Sequence, residues 1–355
     1  MTDEQIIRQT IKNIGPVDEM SRRAVLAHWD QMGKPLHSLG KLETLWAQLA
    51  AIQRTAHPSV KRRALLVFCA DNGVVEEGVS QTGQSVTATV AENFFDQLTC
   101  TSILCKKNHC DPYVIDIGMS VDTPRTLRRK VAYGTKNMAK EPAMSREEAH
   151  SAIVTGMELA KEEHAAGYDL LAVGEMGIGN TTTSAALTAV LLSLSPEEVT
   201  GRGAGLSDAG FEKKKAVIRH AIDLLAPDAS DPMDVLAKVG GFDLAGMAGA
   251  CIGAAACKVP VLLDGFISLA AALLAVRLAP NVLPYLIPTH LSKEPAAKLL
   301  LKELGMSPGI CMDLCLGEGS GAVAFLPFLD MAQELYKTMG SFSDIHVEQY
   351  EDYTC

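Results

Sequence analysis

Leu170-Leu171-Ala172-Val173-Gly174-Glu175-Met176-Gly177-Ile178-Gly179-Asn180-Thr181-Thr182-Thr183 passes from a short apolar run through a glycine-rich turn into residues that open a helix. A strand feeding a helix through such a turn is the repeating unit of open parallel sheets. The spacing Gly174-x-x-x-x-Gly179-Asn180-Thr181 copies a phosphate loop, but Asn180 stands where a nucleotide hydrolase needs lysine to reach the β and γ phosphates. That argues against ATP or GTP chemistry. The free N–H groups of the turn and the positive end of the helix suit one phosphate, such as that of a nucleoside monophosphate.

Similar apolar runs recur at Ala64 to Ala70, Tyr113 to Ile117, Val259 to Leu263 and Tyr285 to Ile287. Near-continuous hydrophobic strands fit a parallel sheet covered on both faces. Helical segments alternate with them: Val86 to Phe95, Ser145 to Ala166, Thr182 to Leu192, Phe211 to Leu225, Ile267 to Ala279 and Pro295 to Glu303. Ser145 with Glu148 three residues on has capping-box spacing, and Gly167 marks the end of that helix. The alternation predicts a doubly wound, mainly parallel α/β fold over residues 60–310. A smaller helical subdomain is expected from both termini, residues 1–59 and 311–355, with a helix over 322–339. The acidic tail from Ser341 to Cys355 is expected to be loosely held.

The chain has 355 residues, 48% of them hydrophobic, enough for a sizeable core. A net charge of −10 opposes binding to nucleic acid. Arg128-Arg129-Lys130 is a short basic run that reads as a solvated strand end. No apolar stretch is long enough to span a membrane, and the polar N-terminus is not signal-like, so a cytoplasmic protein is expected. The nine cysteines form no compact disulfide framework and are expected to be mostly buried free thiols. Cys100, Cys105, His109 and Cys110 are close in sequence but lack paired metal-ligand spacing, so packing is favoured over zinc. Cys311 and Cys315 share a face if that segment is helical, and are expected in the core.

In an open parallel sheet, ligands bind outside the carboxyl ends of the strands. Cys69-Ala70-Asp71-Asn72-Gly73, Gly174-Glu175-Met176-Gly177, Asp264-Gly265 and Pro288-Thr289-His290-Leu291-Ser292 lie at such ends and should converge on one crevice. In Leu316-Gly317-Glu318-Gly319-Ser320-Gly321, glycines let backbone approach a ligand while Glu318 faces it; desolvation would raise its pKa towards that of a general base. The other reading is a surface turn. Glu175 would repel a phosphate, so it faces a ribose hydroxyl, positions a second group, or neutralises the helix N-terminus. Asp71 and Asp264 are equally consistent with binding ribose and with capping a helix. Gly201-Arg202-Gly203-Ala204-Gly205 leads to Lys213-Lys214-Lys215, which is either a source of phosphate-binding charge or a solvated helix face. His290 has no serine or cysteine elbow beside it, which argues against a hydrolase triad.

Six ordered blocks resemble the nicotinate-nucleotide:dimethylbenzimidazole phosphoribosyltransferases of cobamide (vitamin B12) nucleotide-loop assembly: Lys34-Pro35 with Ser38 to Glu43, Cys69-Ala70-Asp71, Gly174 to Gly177 with Asn180-Thr181-Thr182, Lys238 to Asp243, Leu262 to Phe266, and Leu316 to Gly321. The resemblance implies a Rossmann-like dimer moving phosphoribose from nicotinate mononucleotide to an aromatic base, with no metal or other cofactor. It assigns Glu318 as general base, with Glu175 beside the nucleotide. Gly177, Asn180, Thr181, Gly203, Asp264, Ser292 and Gly319 would line the substrate site, and Lys214 would reach a phosphate in the partner subunit.

Departures fall at the base pocket. Leu36 and His37 replace a Pro-Gly pair, Asn72 replaces a histidine, and Val90 stands where some members carry a base-facing glutamine; a Tyr-Pro or Ser-Pro element is lost around Thr82. These changes leave the acceptor open between dimethylbenzimidazole and a related or phenolic base, the last as in a branch that activates phenols, sometimes as a heterodimer of homologous subunits. The competing reading is a catalytically weak subunit that completes a partner's active site.

Overall fold

All eight residues of β1 (Arg63–Ala70) are buried, which requires cover on both faces of the sheet. The computed structural model describes residues 1–351. β1, β2 (Cys110–Gly118), β3 (Leu127–Arg128), β4 (Leu170–Met176), β5 (Val261–Leu263) and β6 (Leu286–Pro288) form one sheet in the order β3-β2-β1-β4-β5-β6. Every pairing is parallel. The winding reverses between β1 and β4, so the ligand crevice of a doubly wound sheet belongs at their carboxyl ends.

The helices are α1 (Asp3–Lys12), α2 (Glu19–Gln31), α3 (Lys41–Gln53), α4 (Ser85–Asn93), α5 (Cys100–Lys107), α6 (Arg146–Ala165), α7 (Asn180–Leu192), α8 (Pro196–Val199), α9 (Asp208–Leu225), α10 (Pro232–Val239), α11 (Phe242–Cys257), α12 (Phe266–Leu278), α13 (Pro295–Glu303) and α14 (Ser320–Thr338). Alternate side chains of each strand point to opposite faces. Leu66, Phe68, Leu171 and Val173 join α6, α7, α11 and α12 in one core. Leu65, Val67, Leu170 and Ala172 face the other way, against α2, α3, α5 and α14. Helices from both ends of the chain thus cover one face of the sheet, while α1 packs on α6 and α11.

The capping box at Ser145 forms: Glu148 N–H donates to Ser145 Oγ at 3.1 Å, and Ser145 N–H to Glu148 Oε2 at 2.7 Å. Several local expectations need correction. The basic run is not wholly solvated: Lys130 is buried, 3.0 Å from buried Asp116, and donates to the Met119 carbonyl at 2.6 Å. Cys311 and Cys315 are exposed and non-helical, in a segment where Asp313 (φ +53°) and Gly317 (φ +90°) take left-handed backbone. Only Cys69, Cys105, Cys110 and Cys251 are buried among the eight described cysteines. The tail is fastened as far as it is described: Ser341 bridges Met32, Phe342 N–H donates to the Gln31 carbonyl, and Phe342 packs edge-on against Tyr350. The last residues of that expected loose tail, 352–355, lie outside the described residues.

Candidate active site

The glycine turn after β4 and the one before α14 meet at the switch point. Gly174 is pressed so closely against the backbone of Glu318 and Gly319 that a Cβ there would collide with both. Gly317, Glu318 and Gly319 all adopt left-handed backbone, φ +90°, +62° and +81°. For glutamate this conformation is strained, and strain of this kind persists only where surrounding contacts over-determine it. Asp264 supplies them: its Oδ2 accepts Gly319 N–H at 3.1 Å and its Oδ1 accepts Gly321 N–H at 2.7 Å. The aspartate after β5 therefore caps α14, a helix more than fifty residues further along, rather than the helix that follows it.

These loops enclose a cavity of about 310 Å³, whose walls include Glu175, Gly177, Asn180, Thr181, Gly203, Lys214, Asp264, Ser292 and Glu318. Val79, Leu206, Phe266, Ile267 and Leu316 supply apolar wall. Burial raises the Glu318 carboxyl above the ordinary glutamate range, and its Oε2 is buried without a hydrogen-bond partner. Burial raises Glu175 further, with Asp243, Asp264 and Glu318 adding like charge. Asn180 donates its side-chain amide to Glu175 Oε2, so the residue in the lysine position of a phosphate loop holds a carboxyl group. Asp264 is pushed up to about 7 by burial, against the pull of the N–H groups it accepts. His290 Nδ1 lies 3.9 Å from Asp264 Oδ1, and burial lowers its pKa, which favours the neutral imidazole.

At the other end of the cavity, Lys214 is almost wholly buried and donates to Thr181 Oγ1 at 2.8 Å and to the Gly201 carbonyl at 3.1 Å. Burial lowers its pKa to about 8, with Glu294 opposing the shift. This placement favours Lys214 as a source of positive charge for the site of its own chain, one of the readings open from the sequence. α9 runs back over the start of α7, so the ammonium group is delivered to the turn of its own chain. It also corrects the solvated-face reading of this lysine.

Three expected residues do not line the cavity. Thr82 is exposed on the turn before α4, and Val90 packs with Ala88 and Met176 against the terminal-helix core. Gly319 directs its N–H to Asp264 instead. Asp71 is likewise outside the wall: its Oδ2 accepts Ser120 N–H and Oγ, both at 2.8 Å. Glu294 does line it, and its sequence context, Ser-Lys-Glu-Pro at a helix start, carries no signal for that role. Cys100 and His109 are exposed, while Cys105 and Cys110 are buried. Asp30, His37 and Glu43 come together elsewhere, but Lys34 already pairs with Glu43 at 2.8 Å.

A doubly wound parallel sheet with a carboxylate-lined cleft at its switch point defines a Rossmann-like α/β protein with a built ligand site. A family model described as phosphoribosyltransferase matches residues 14–347. The nicotinate-nucleotide–dimethylbenzimidazole phosphoribosyltransferase of Acetivibrio thermocellus is 45% identical over 350 residues, covering 97% of this chain and 98% of the relative. That of Alkaliphilus metalliredigens is 46% identical, over 95% of this chain and 98% of the relative. The crystal structure of CobT from Thermus thermophilus superposes with a TM-score of 0.88 at 40% identity, covering 93% of this chain and all of that one. The chain belongs to the nicotinate-nucleotide:dimethylbenzimidazole phosphoribosyltransferase family. Among the described residues no helix is long and apolar enough to cross a membrane.

Proposed function

We propose that this protein transfers phosphoribose from nicotinate mononucleotide to an aromatic base, giving an α-ribotide for cobamide nucleotide-loop assembly. The names of its full-length relatives support the reaction, and none of them favours a catalytically weak companion subunit. One observation carries the assignment of roles: Glu318, a raised carboxyl on a strained turn, faces a cavity large enough for a nucleotide.

The nucleotide phosphate lies at the Thr181, Gly203 and Lys214 end, where N–H groups at the start of α7 add to the lysine charge. Ser292 sits beside the ribose. Glu175, largely neutral because of its burial, orients Asn180 and the Glu318 turn and leaves proton abstraction to Glu318. The acceptor ring rests between Glu318 and the apolar wall. Its unprotonated nitrogen attacks the anomeric carbon while the Glu318 carboxylate takes the proton from its other ring nitrogen. The bond from the anomeric carbon to the pyridinium nitrogen breaks, and its electron pair leaves with neutral-ring nicotinate. Attack opposite the leaving group inverts the anomeric centre from β to α. The proton on Glu318 is then lost to solvent. We further propose that the protein works as a dimer in the cytoplasm.

Glu318→Gln is expected to lower turnover by at least about two orders of magnitude, as for loss of a general base. Nicotinate release measures this, and calorimetry should find nucleotide affinity close to wild type. Wild-type turnover in the variant would remove the proposed role.

A further inference from the structure

Glu318 immediately precedes the N-cap of α14, on which α5 packs, and the start of α5 carries three hydroxyls, Thr99, Thr101 and Ser102. Two satisfy each other: Thr99 caps the helix, taking Ser102 N–H at 3.1 Å, and its Oγ1 pairs with Ser102 Oγ at 2.9 Å. Thr101 is different. It is fully buried, and its Oγ1 is left without a hydrogen-bond partner beside the Glu318 carboxyl. Glu318 Oε2 is the matching buried acceptor, equally without a partner. A buried hydroxyl and a buried carboxylate left apart each cost free energy, and a small side-chain adjustment that joins the two relieves both. α5 packs on both α14 and β2, which fixes Thr101 against the start of the Glu318 helix.

We propose that Thr101 is the positioning residue for the general base: its hydroxyl donates to the Glu318 carboxylate and holds the free oxygen towards the acceptor ring. This rests on the reading of Glu318 as base. The other groups facing Glu318 are the Glu175 carboxyl from β4, the Asp264 carboxyl after β5 and the Cys69 thiol from β1. Burial disfavours a charged Glu318, whereas Thr101 favours it. A base held this way keeps its proton affinity near the working pH despite burial.

The test is the pH profile of kcat/KM. Its acidic limb reports protonation of the base, so loss of the Thr101 donor should move that limb to higher pH. Thr101→Val is expected to shift it upward by about half to one pH unit, lowering activity at pH 6 roughly three- to tenfold. Thr101→Ser should restore the wild-type limb, and nucleotide affinity should be unchanged in both. A packing role alone would lower activity by a similar factor at every pH. If the valine variant fails to bind nucleotide, the same shift is read from Thr101→Ala. A limb that superposes on wild type in the folded variant overturns the proposal. Glu318→Gln in parallel separates the two claims: retained turnover there sinks the base itself, whereas an inactive glutamine variant with an unshifted Thr101 variant sinks only the positioning.

Discussion

Lys214 reaches the cavity from a helix whose preceding lysine, Lys213, faces solvent, and burial has lowered its pKa to about 8. Its charge is therefore complete below that value and lost above it, so any phosphate affinity it supplies declines as pH rises through 8. The KM for nicotinate mononucleotide is expected to rise about tenfold between pH 7 and pH 9. Lys214→Met should raise KM at pH 7 by roughly ten- to a hundredfold, as for loss of a charge-assisted contact, and should flatten that dependence. A variant KM that still climbs with pH would place the titration elsewhere. Glu318 was legible from its flanking glycines, because three consecutive left-handed residues need them. Thr101 and Glu294 were not legible. Their roles depend on α5 and α13 arriving beside residues far away in sequence, and nothing local distinguishes them from an ordinary helix-start threonine and glutamate.

At the scale of elements, the contact between α6 and α11 is built on glycine. A Cβ on Gly156 would collide with the Gly246 carbonyl, and one on Gly249 with the Ile153 carbonyl. The two backbones touch where larger residues would hold them apart. Gly249→Ala is expected to destabilise the protein by about 1–3 kcal/mol through overpacking, despite alanine's higher helix propensity. Urea denaturation would measure this, and a gain in stability would show that the pair can separate at little cost. The same composition hides α11 from sequence reading. Phe242–Cys257 is almost entirely buried and rich in alanine and glycine, so no polar face reveals a helical period. α6 and α12 differ instructively: the first announces itself through a capping box, the second through an apolar run after an expected strand. β1, β4 and the second half of β2, residues 114–118, were legible because both of their faces are buried. β3 was not, because two exposed residues at the sheet edge leave no apolar run.

At the scale of the whole molecule, the winding that creates the cleft also concentrates acids at one end of the sheet. Glu175 lies one residue before the end of β4, Asp264 follows β5, Glu318 precedes α14, and Asp243 lies in the first turn of α11 behind the Gly177 turn, all in a chain whose net charge is already −10. Burial pushes Asp243 up to about 7, against the pull of the Leu244 N–H and the Asn72 amide. The folded protein thus keeps a proton on this group to about pH 7, whereas the unfolded chain releases it near the ordinary aspartate value of about 3.9. Stability from this group is complete below that ordinary value and is lost as pH rises through 7, because the folded state binds more protons across the interval. Asp243→Asn removes the titration while keeping a similar shape. Relative to wild type, its urea midpoint is expected to be higher at pH 8 than at pH 5, with the difference growing between pH 4 and pH 7. Parallel midpoints across that range would mean that Asp243 is ionised in the folded protein throughout, and that the acids at the sheet end are held apart by something other than a shared reluctance to lose protons.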